Sequence, residues 1–267
     1  MLTKTALVTG ASQGIGKGAA LALAQAGYDI ALHCSSNIER ANETADCIKL
    51  LGRRCEVIKT DLSKYEGVVE LFNAFDEAFP RLDALVNNAG ITVGGSLLEM
   101  DIETFDAVTA IDWRGGFFCV QFAAKRMIAA GIKGSIVLIT SNQSTMVFGL
   151  SAAYGSVKAA LRKFCEHAAL ELSPYGIRVN AIAPGYTDTG NPRLGSKEPT
   201  YNSIPANRWV TPEEIGKIAL WLLSDEALSM TGMEIIVDGG ARILSGAAGM
   251  APIRERAEDI KSRLTRR

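Results

Sequence analysis

Short apolar runs alternate with longer amphipathic stretches along most of the chain, and this alternation constrains the fold more than any other feature. Ala6–Val8, Asp29–Cys34, Cys55–Lys59, Asp83–Val86, Gly134–Thr140, Ile177–Ile182 and Met233–Val237 read as strands. Helical stretches separate them at Lys17–Ala26, Asn37–Leu51, Lys64–Phe79, Ile102–Ala130 and Ala152–Leu172, with a further helix from Pro212. Asn37 and Thr211 stand where helix N-caps belong, and Gly27, Gly52 and Pro80 where helices stop. Strand, helix and strand joined by loops of a few residues cannot form hairpins. They pair in parallel, with the helices packed over both faces of one sheet.

The spacing of the remaining residues sets the domain plan. No internal repeat or composition break divides the 267 residues, so residues 1–250 are expected to form one domain. Gly185–Asn207 is rich in Gly, Pro, Asn and Thr and lacks a period, which suits a lid or binding loop. Residues 251–267 differ: Pro252–Arg267 carries six Lys/Arg against three Asp/Glu, with apolar residues at helical spacing. That tail reads as a basic helical extension with a solvated face or a neighbouring subunit against it; an anionic partner is the other reading. A net charge of −1 gives no reason to expect nucleic acid, and no apolar run is long enough for a membrane span. The first residues run straight into a strand, so no leader is expected. Five cysteines without CxxC spacing suggest reduced thiols, a cytoplasmic location and no metal framework.

Two stretches carry chemistry. Thr9–Gly16, TGASQGIG, joins the first strand to the first helix, and Gly10, Gly14 and Gly16 permit a tight turn and close approach of a pyrophosphate. The helix N-terminus behind them offers free N–H groups and a positive dipole end. The second stretch is Ser141–Lys158. Ser141 sits at the carboxyl end of the fifth strand, where open α/β sheets bind their ligands. Tyr154 and Lys158 stand four apart and share one helix face. An ammonium beside a phenol favours the phenolate, which suits proton transfer during carbonyl/alcohol redox chemistry.

In this order and at these spacings the motifs closely resemble the short-chain dehydrogenase/reductase family, near its sugar dehydrogenase and 3-oxoacyl-carrier-protein reductase branch. The parts are TGASQGIG, Asp61, NNAG at Asn87–Gly90, Ser141, YGSVK at Tyr154–Lys158, RVNAIAPG at Arg178–Gly185 and VDGG at Val237–Gly240. The resemblance covers about Leu2 to Gly240. It implies a single Rossmann-type doubly wound parallel seven-stranded sheet with helices on both faces. It also implies that Tyr154 is the general acid/base, that Ser141 holds the substrate oxygen, and that Lys158 binds the nicotinamide ribose and assists Tyr154. Cofactor contacts are then expected from Gly10, Ser12, Gln13, Gly14, Ile15 and Gly16, from Asp61 and Leu62 at the adenine, and from Asn87, Asn88, Ala89 and Gly90. Pro184, Gly185, Thr187 and Thr189 are expected near the carboxamide, together with Tyr154 and Lys158.

Two departures from the family pattern matter. Ile111–Phe117 matches a stretch in which the family places a catalytic Asn that holds a water beside the lysine; here Asp112 stands there. An ionised Asp accepts hydrogen bonds but cannot donate, and beside Lys158 it raises the lysine pKa and opposes the cation's action on Tyr154. Proton relay with a shifted pH optimum is expected. The second departure concerns the cofactor. Members that prefer NAD usually carry a carboxylate at the end of the second strand, and the residues here are Cys34, Ser35 and Ser36. That favours NADP. Gln13, at a position often basic in NADP users, and the lack of an Arg directly after Cys34 argue the other way, with NAD as the alternative.

The substrate lining is expected from Thr92–Ser96, Asn142–Phe148 and Tyr186–Tyr201, with Ser141, Gln143, Tyr154 and Tyr186 closest to the substrate. Polar residues in these stretches, among them Ser144 and Asn191, suggest a small hydroxylated substrate: a sugar, polyol or hydroxy-ketone. Reduction of a 3-oxoacyl thioester is one alternative, and a cofactor-binding sensor without turnover is another. The family resemblance further implies a homotetramer or homodimer.

Overall fold

The computed structural model of the protein describes residues 3–190, 203–244 and 251–265. The seven apolar runs form β1 (Thr5–Val8), β2 (Asp29–Cys34), β3 (Cys55–Lys59), β4 (Ala84–Asn87), β5 (Ser135–Ile139), β6 (Arg178–Pro184) and β7 (Glu234–Val237). All pairings are parallel, in the order β3-β2-β1-β4-β5-β6-β7. The chain runs outward from β1 to β3, then crosses back to β4, so β1 and β4 are neighbours. Their carboxyl ends mark the switch point at which open α/β sheets bind ligands.

Alternation within each strand builds two cores. Ala6 and Val8 face α1 (Gly14–Gln25), α2 (Ile38–Leu50) and α7 (Pro212–Leu223), while Leu7 between them faces the opposite layer. That layer holds α3 (Tyr65–Ala78), α5 (Gly116–Ala129) and α6 (Ala152–Leu172), which bury Leu71, Phe72 and Phe75 together with Cys119 and Cys165. All five cysteines are free thiols. On the first face α1 and α7 touch backbone to backbone. A Cβ on Gly18 would lie 2.3 Å from the Pro212 carbonyl oxygen, and one on Gly216 would lie 2.4 Å from that of Gly18. The N-cap expected at Thr211 is present, and Glu214 completes a capping box with it.

The expected helix Ile102–Ala130 is interrupted. It comprises α4 (Ile102–Val108), a π-helical turn over Thr109–Gly115, and α5. The wider turn accommodates two tight contacts. A Cβ on Gly115 would lie 2.6 Å from the Leu62 carbonyl oxygen, and one on Gly116 would lie 3.0 Å from the Asn87 amide nitrogen. The π turn also carries Asp112 inward, where it is buried.

Of the expected lid, 191–202 lies outside the described residues. Its two flanks are joined: Val210 donates its N–H to the Tyr186 carbonyl, and Asp188 donates to that of Val210, both at 2.9 Å. The basic tail forms α8 (Ala251–Thr265), with Ile253 and Ile260 exposed. No helix among the described residues is long and apolar enough to cross a membrane.

Candidate active site

The glycine turn is held from three directions. Thr9, at the end of β1, accepts N–H bonds from Asn88 (2.9 Å) and Ala89 (3.0 Å) with its hydroxyl oxygen, so β1 and β4 are tied where they end. Asn88 donates its side-chain amide to the carbonyls of Thr9 (2.9 Å) and Gly10 (3.0 Å). From β2, His33 Nδ1 accepts the Gly10 N–H at 3.1 Å, and its Nε2 faces the Thr60 carbonyl at 3.1 Å. These partners assign the proton to Nε2. Burial pushes the His33 pKa down to about 4, outweighing the opposite pull of the Thr60 carbonyl and Asp61, so the ring stays neutral and accepting.

The turn fits a dinucleotide phosphate. Gly10 and Gly14 adopt φ of +63° and +55°, which favour glycine, and a Cβ on Gly16 would lie 2.3 Å from the Gly10 carbonyl oxygen. Gln13 is the N-cap of α1 but its side chain accepts no N–H of that helix, leaving the first amides of a 12-residue helix facing the turn.

A cleft of about 350 Å³ opens beyond the carboxyl ends of β1, β4, β5 and β6. Of the residues singled out in the sequence, Gly10, Gln13, Gly14, Ile15, Asn88, Ala89 and Gly90 line it on one side. Asp112, Ser141, Gln143, Tyr154 and Lys158 form its floor and far wall, with Pro184, Gly185, Tyr186, Thr187 and Thr189 beside them. The others are placed elsewhere. Gly16 lies behind the turn. Cys34 is buried at the end of β2, with Ser35 and Ser36 exposed after it. Ser12 is half-buried and its carbonyl faces Thr44. Asp61 is exposed and bound to Ser63 N–H and hydroxyl, and Leu62 is buried beneath it. Asn87 points inward, donating to the Gly116 carbonyl at 3.1 Å, and so supports the cleft without lining it.

Lys158 and Asp112 form the electrostatic centre. Lys158 Nζ lies 3.0 Å from Asp112 Oδ2 and donates to the Ile139 carbonyl at 3.2 Å, and both side chains are buried. Asp112 Oδ1 accepts the Ile91 N–H at 2.8 Å; Oδ2 has the ammonium opposite it and no other partner among the described residues. Burial alone would lower the Lys158 pKa, but the Asp112 carboxylate and the Tyr154 phenol outweigh it and hold the pKa above its usual value. Asp112 thus meets the lysine directly, not through the water the family pattern suggested. A Cβ on Gly90 would lie 2.5 Å from Asp112 Oδ2, so the last glycine of NNAG makes room for this carboxylate. Lys158 Nζ also stands over the Tyr154 ring, 5.5 Å from its centre. An ammonium has three N–H donors, so one beyond those facing Ile139 and Asp112 is left for the cleft.

Ser141 begins a single 3-10 turn, Asn142–Ser144, and accepts the Gln143 N–H at 3.2 Å. Glu234 on β7 clamps this turn from behind. Its nearly buried carboxylate accepts from the hydroxyls of Thr140 (2.6 Å) and Ser144 (2.9 and 3.0 Å) and pairs with Arg162 at 3.2 Å. Ser144 therefore turns away from the cleft and does not supply the polar lining expected of it. Gln143 Oε1 accepts from Ser151 at 2.6 Å, which leaves its amide N–H groups for other partners. The side-chain amide nitrogen of Asn142 is buried without a partner among the described residues. Opposite stand aromatic rings: Tyr186 and Trp209 stack at 5.8 Å, and Phe148 meets Tyr186 edge-on at 6.2 Å. Asn191, Leu194 and Tyr201 lie outside the described residues.

Sequence reasoning missed Thr9, His33, Glu234 and Trp209. Only Thr9 carried a local signal, since it opens the glycine motif.

Comparison with known proteins agrees with this geometry. A family model described as Enoyl-(Acyl carrier protein) reductase matches residues 10–242. A short-chain dehydrogenase/reductase of Armillaria gallica is 36% identical over 248 residues, covering 89% of this chain and 95% of that protein. Glucose 1-dehydrogenase 2 of Bacillus subtilis (strain 168) is 34% identical over 242 residues, covering 89% and 94%. The crystal structure of acetoin dehydrogenase YohF from Salmonella typhimurium is 37% identical, with a TM-score of 0.85 and coverage of 91% of this chain and 99% of that one. The chain belongs to the short-chain dehydrogenase/reductase family. It is an oxidoreductase acting on a CH–OH or carbonyl group, with a nicotinamide dinucleotide as the cofactor its family implies.

Proposed function

We propose that this protein interconverts a ketone and a secondary alcohol on a small polar substrate, using NADP(H), with Tyr154 as the proton donor and acceptor. The observation that carries this is the convergence of Ser141, Tyr154, Lys158 and Asp112 on the cleft that the glycine turn also lines. The bound nicotinamide supplies or accepts a hydride at the substrate carbon. The protein's residues handle the oxygen. The Ser141 hydroxyl donates to the carbonyl oxygen, stabilising the charge that develops as the carbon is reduced. The Tyr154 hydroxyl gives that oxygen its proton, and Lys158 offsets the charge left on the phenol. In the reverse direction each transfer runs backward. The glycine turn binds the pyrophosphate through backbone N–H groups, and the remaining Lys158 donor serves the ribose.

The cleft favours a short substrate with a second oxygen. Phe148, Tyr186 and Trp209 give one wall an apolar character, while Asn142 and Gln143 bring amide donors beside Ser141. A buried amide donor gains most from an acceptor on the substrate. Small hydroxy-ketones and diketones satisfy both walls, in keeping with the acetoin dehydrogenase whose structure this chain resembles. The test is a panel of acetoin, diacetyl, sugars, polyols and a 3-oxoacyl thioester, assayed with NADPH and NADH in parallel. The reading predicts turnover highest on the four-carbon compounds. Highest turnover on the thioester or a sugar would replace the substrate, and no turnover on any compound would overturn the proposal.

For assembly, we assign the groove of about 620 Å³ lined by Trp113, Phe117 and Phe118 to a second copy of the chain. Sedimentation at graded protein concentration tests this, and a monomer at all concentrations would contradict it.

A further inference from the structure

Neither position at which the family pattern places a cation for the 2′-phosphate holds one: position 13 is Gln, and no Arg directly follows Cys34. The fold supplies one from a residue that neither pattern covers. Arg40 stands in the first turn of α2, where its backbone N–H is capped by the Asn37 side chain at 3.0 Å. Its guanidinium reaches across to the glycine turn and donates to Gln13 Oε1. One turn further along α2, the Thr44 hydroxyl approaches the Ser12 carbonyl at 3.4 Å, so this face of the helix is laid against Ser12–Gln13. Strand β2 arrives at the same place, because Ala11 donates its N–H to the His33 carbonyl at 2.9 Å. Cys34, Ser35 and Ser36 follow directly, the thiol buried and the two serines exposed.

We infer that Arg40, held on Gln13 and flanked by Ser35 and Ser36, binds the 2′-phosphate and makes the chain select NADP(H) over NAD(H). The inference rests on the proposed use of a nicotinamide dinucleotide and adds the residue that decides which one. Three points of chemistry support it. A guanidinium has five N–H donors in a planar fork, and the bond to Gln13 uses one of them, leaving others for phosphate oxygens. Because Gln13 Oε1 is engaged, its amide N–H groups remain to donate to the same anion. The strand end holds a thiol where a carboxylate would repel the phosphate, and burial raises the Cys34 pKa, so the group stays uncharged. Lys59 and Glu39 also act on Cys34, with opposite signs, so neither decides the local charge by itself. Arg40 is exposed, so salt should weaken its effect.

Calorimetric binding of NADP⁺, NAD⁺ and adenosine 2′,5′-bisphosphate to the full chain, at low and high salt, tests the assignment without relying on turnover. The native protein should bind NADP⁺ more tightly than NAD⁺. Arg40→Ala should weaken NADP⁺ and the bisphosphate by roughly tenfold to a hundredfold and leave NAD⁺ within about twofold, as expected for losing a charged hydrogen-bond partner to phosphate. Arg40→Lys should restore part of the loss, and the loss should shrink at high salt. Unchanged NADP⁺ affinity in Arg40→Ala, an equal loss for both dinucleotides, or a native preference for NAD⁺ would overturn the inference while leaving the proposed redox function intact. A native protein that binds neither dinucleotide would overturn both.

Discussion

Replacing Asp112 with Asn removes one charge from the electrostatic centre while preserving its shape. The carboxylate lies 3.0 Å from Lys158 Nζ, and Nζ lies 5.5 Å from the centre of the Tyr154 ring. The carboxylate is therefore at most about 8.5 Å from that ring. At this separation and an effective dielectric of about 20, one charge is worth about 2 kcal/mol, or somewhat more than one pH unit. In the native protein the Asp112 carboxylate and the Lys158 ammonium bear charges of opposite sign beside the phenol. In Asp112→Asn the cation acts unopposed, so the pH limb of kcat/KM that reports the proton donor should move about one unit toward acid. Ketone reduction then fails at a lower pH, and alcohol oxidation begins at a lower pH. Stability should respond differently. The Lys158 pKa is raised by folding, so its contribution is complete below the unfolded lysine value of about 10.4 and is lost only as pH rises through the folded value. Breaking a buried pair costs about 3–5 kcal/mol, and an amide at the same place recovers part of that. Without the carboxylate, burial dominates and lowers the Lys158 pKa, so urea titrations should show a deficit of about 2–3 kcal/mol at about pH 6 that shrinks toward alkaline pH as the unpaired lysine sheds its proton. The kinetic experiment is a pair of kcat/KM profiles for each direction. Superimposable profiles would refute the reasoning, as would a limb that moves toward alkali.

Two further predictions concern residues that support the site. Neutral His33 accepts the Gly10 N–H, and its pKa of about 4 lies below the unfolded value, so its contribution is complete above about pH 6.5 and is lost as pH falls toward 4, about 3 kcal/mol in all. Urea titrations from about pH 7.5 to about pH 4.5 should show that loss, and His33→Phe should flatten it; equal pH slopes in both proteins would contradict the assignment. Glu234→Ala strips the Thr140 and Ser144 hydroxyls and Arg162 of their shared partner, so it should cost about 2–4 kcal/mol and lower kcat, with dinucleotide affinity preserved. Glu234→Gln should recover part of kcat, and unchanged kinetics in both variants would remove Glu234 from the account.

Much of the fold was legible because strand and helix differ in period and the first three helices end at Gly27, Gly52 and Pro80. The interruption at Thr109–Gly115 was not, because the residues around Asp112 continue the helical pattern; the adjacent Gly115 and Gly116 hint at close packing but do not specify a π turn. In the site, the glycine turn and the Tyr154–Lys158 pair are local and could be read from spacing. His33, Arg40 and Glu234 act across 23, 27 and about 90 residues of chain, so only the folded sheet brings them to Gly10, Gln13 and Ser144. Ser144 was misjudged for a related reason. Its hydroxyl was counted as lining because it lies near Ser141 in sequence, whereas its partner is on a strand formed much later in the chain. Trp209 was missed because it comes after the irregular loop, and the stacking that brings it to Tyr186 is tertiary.

In the proposed mechanism Tyr154 exchanges a proton with the substrate oxygen in this cleft. Tyr154→Phe tests it most directly, with NADPH oxidation followed in the presence of diacetyl or acetoin and dinucleotide binding measured on the same protein. Turnover should fall by about 10²–10⁴-fold, the usual worth of a positioned acid/base group, while dinucleotide affinity stays within a few-fold of native. Turnover that survives the substitution at the native rate would contradict it.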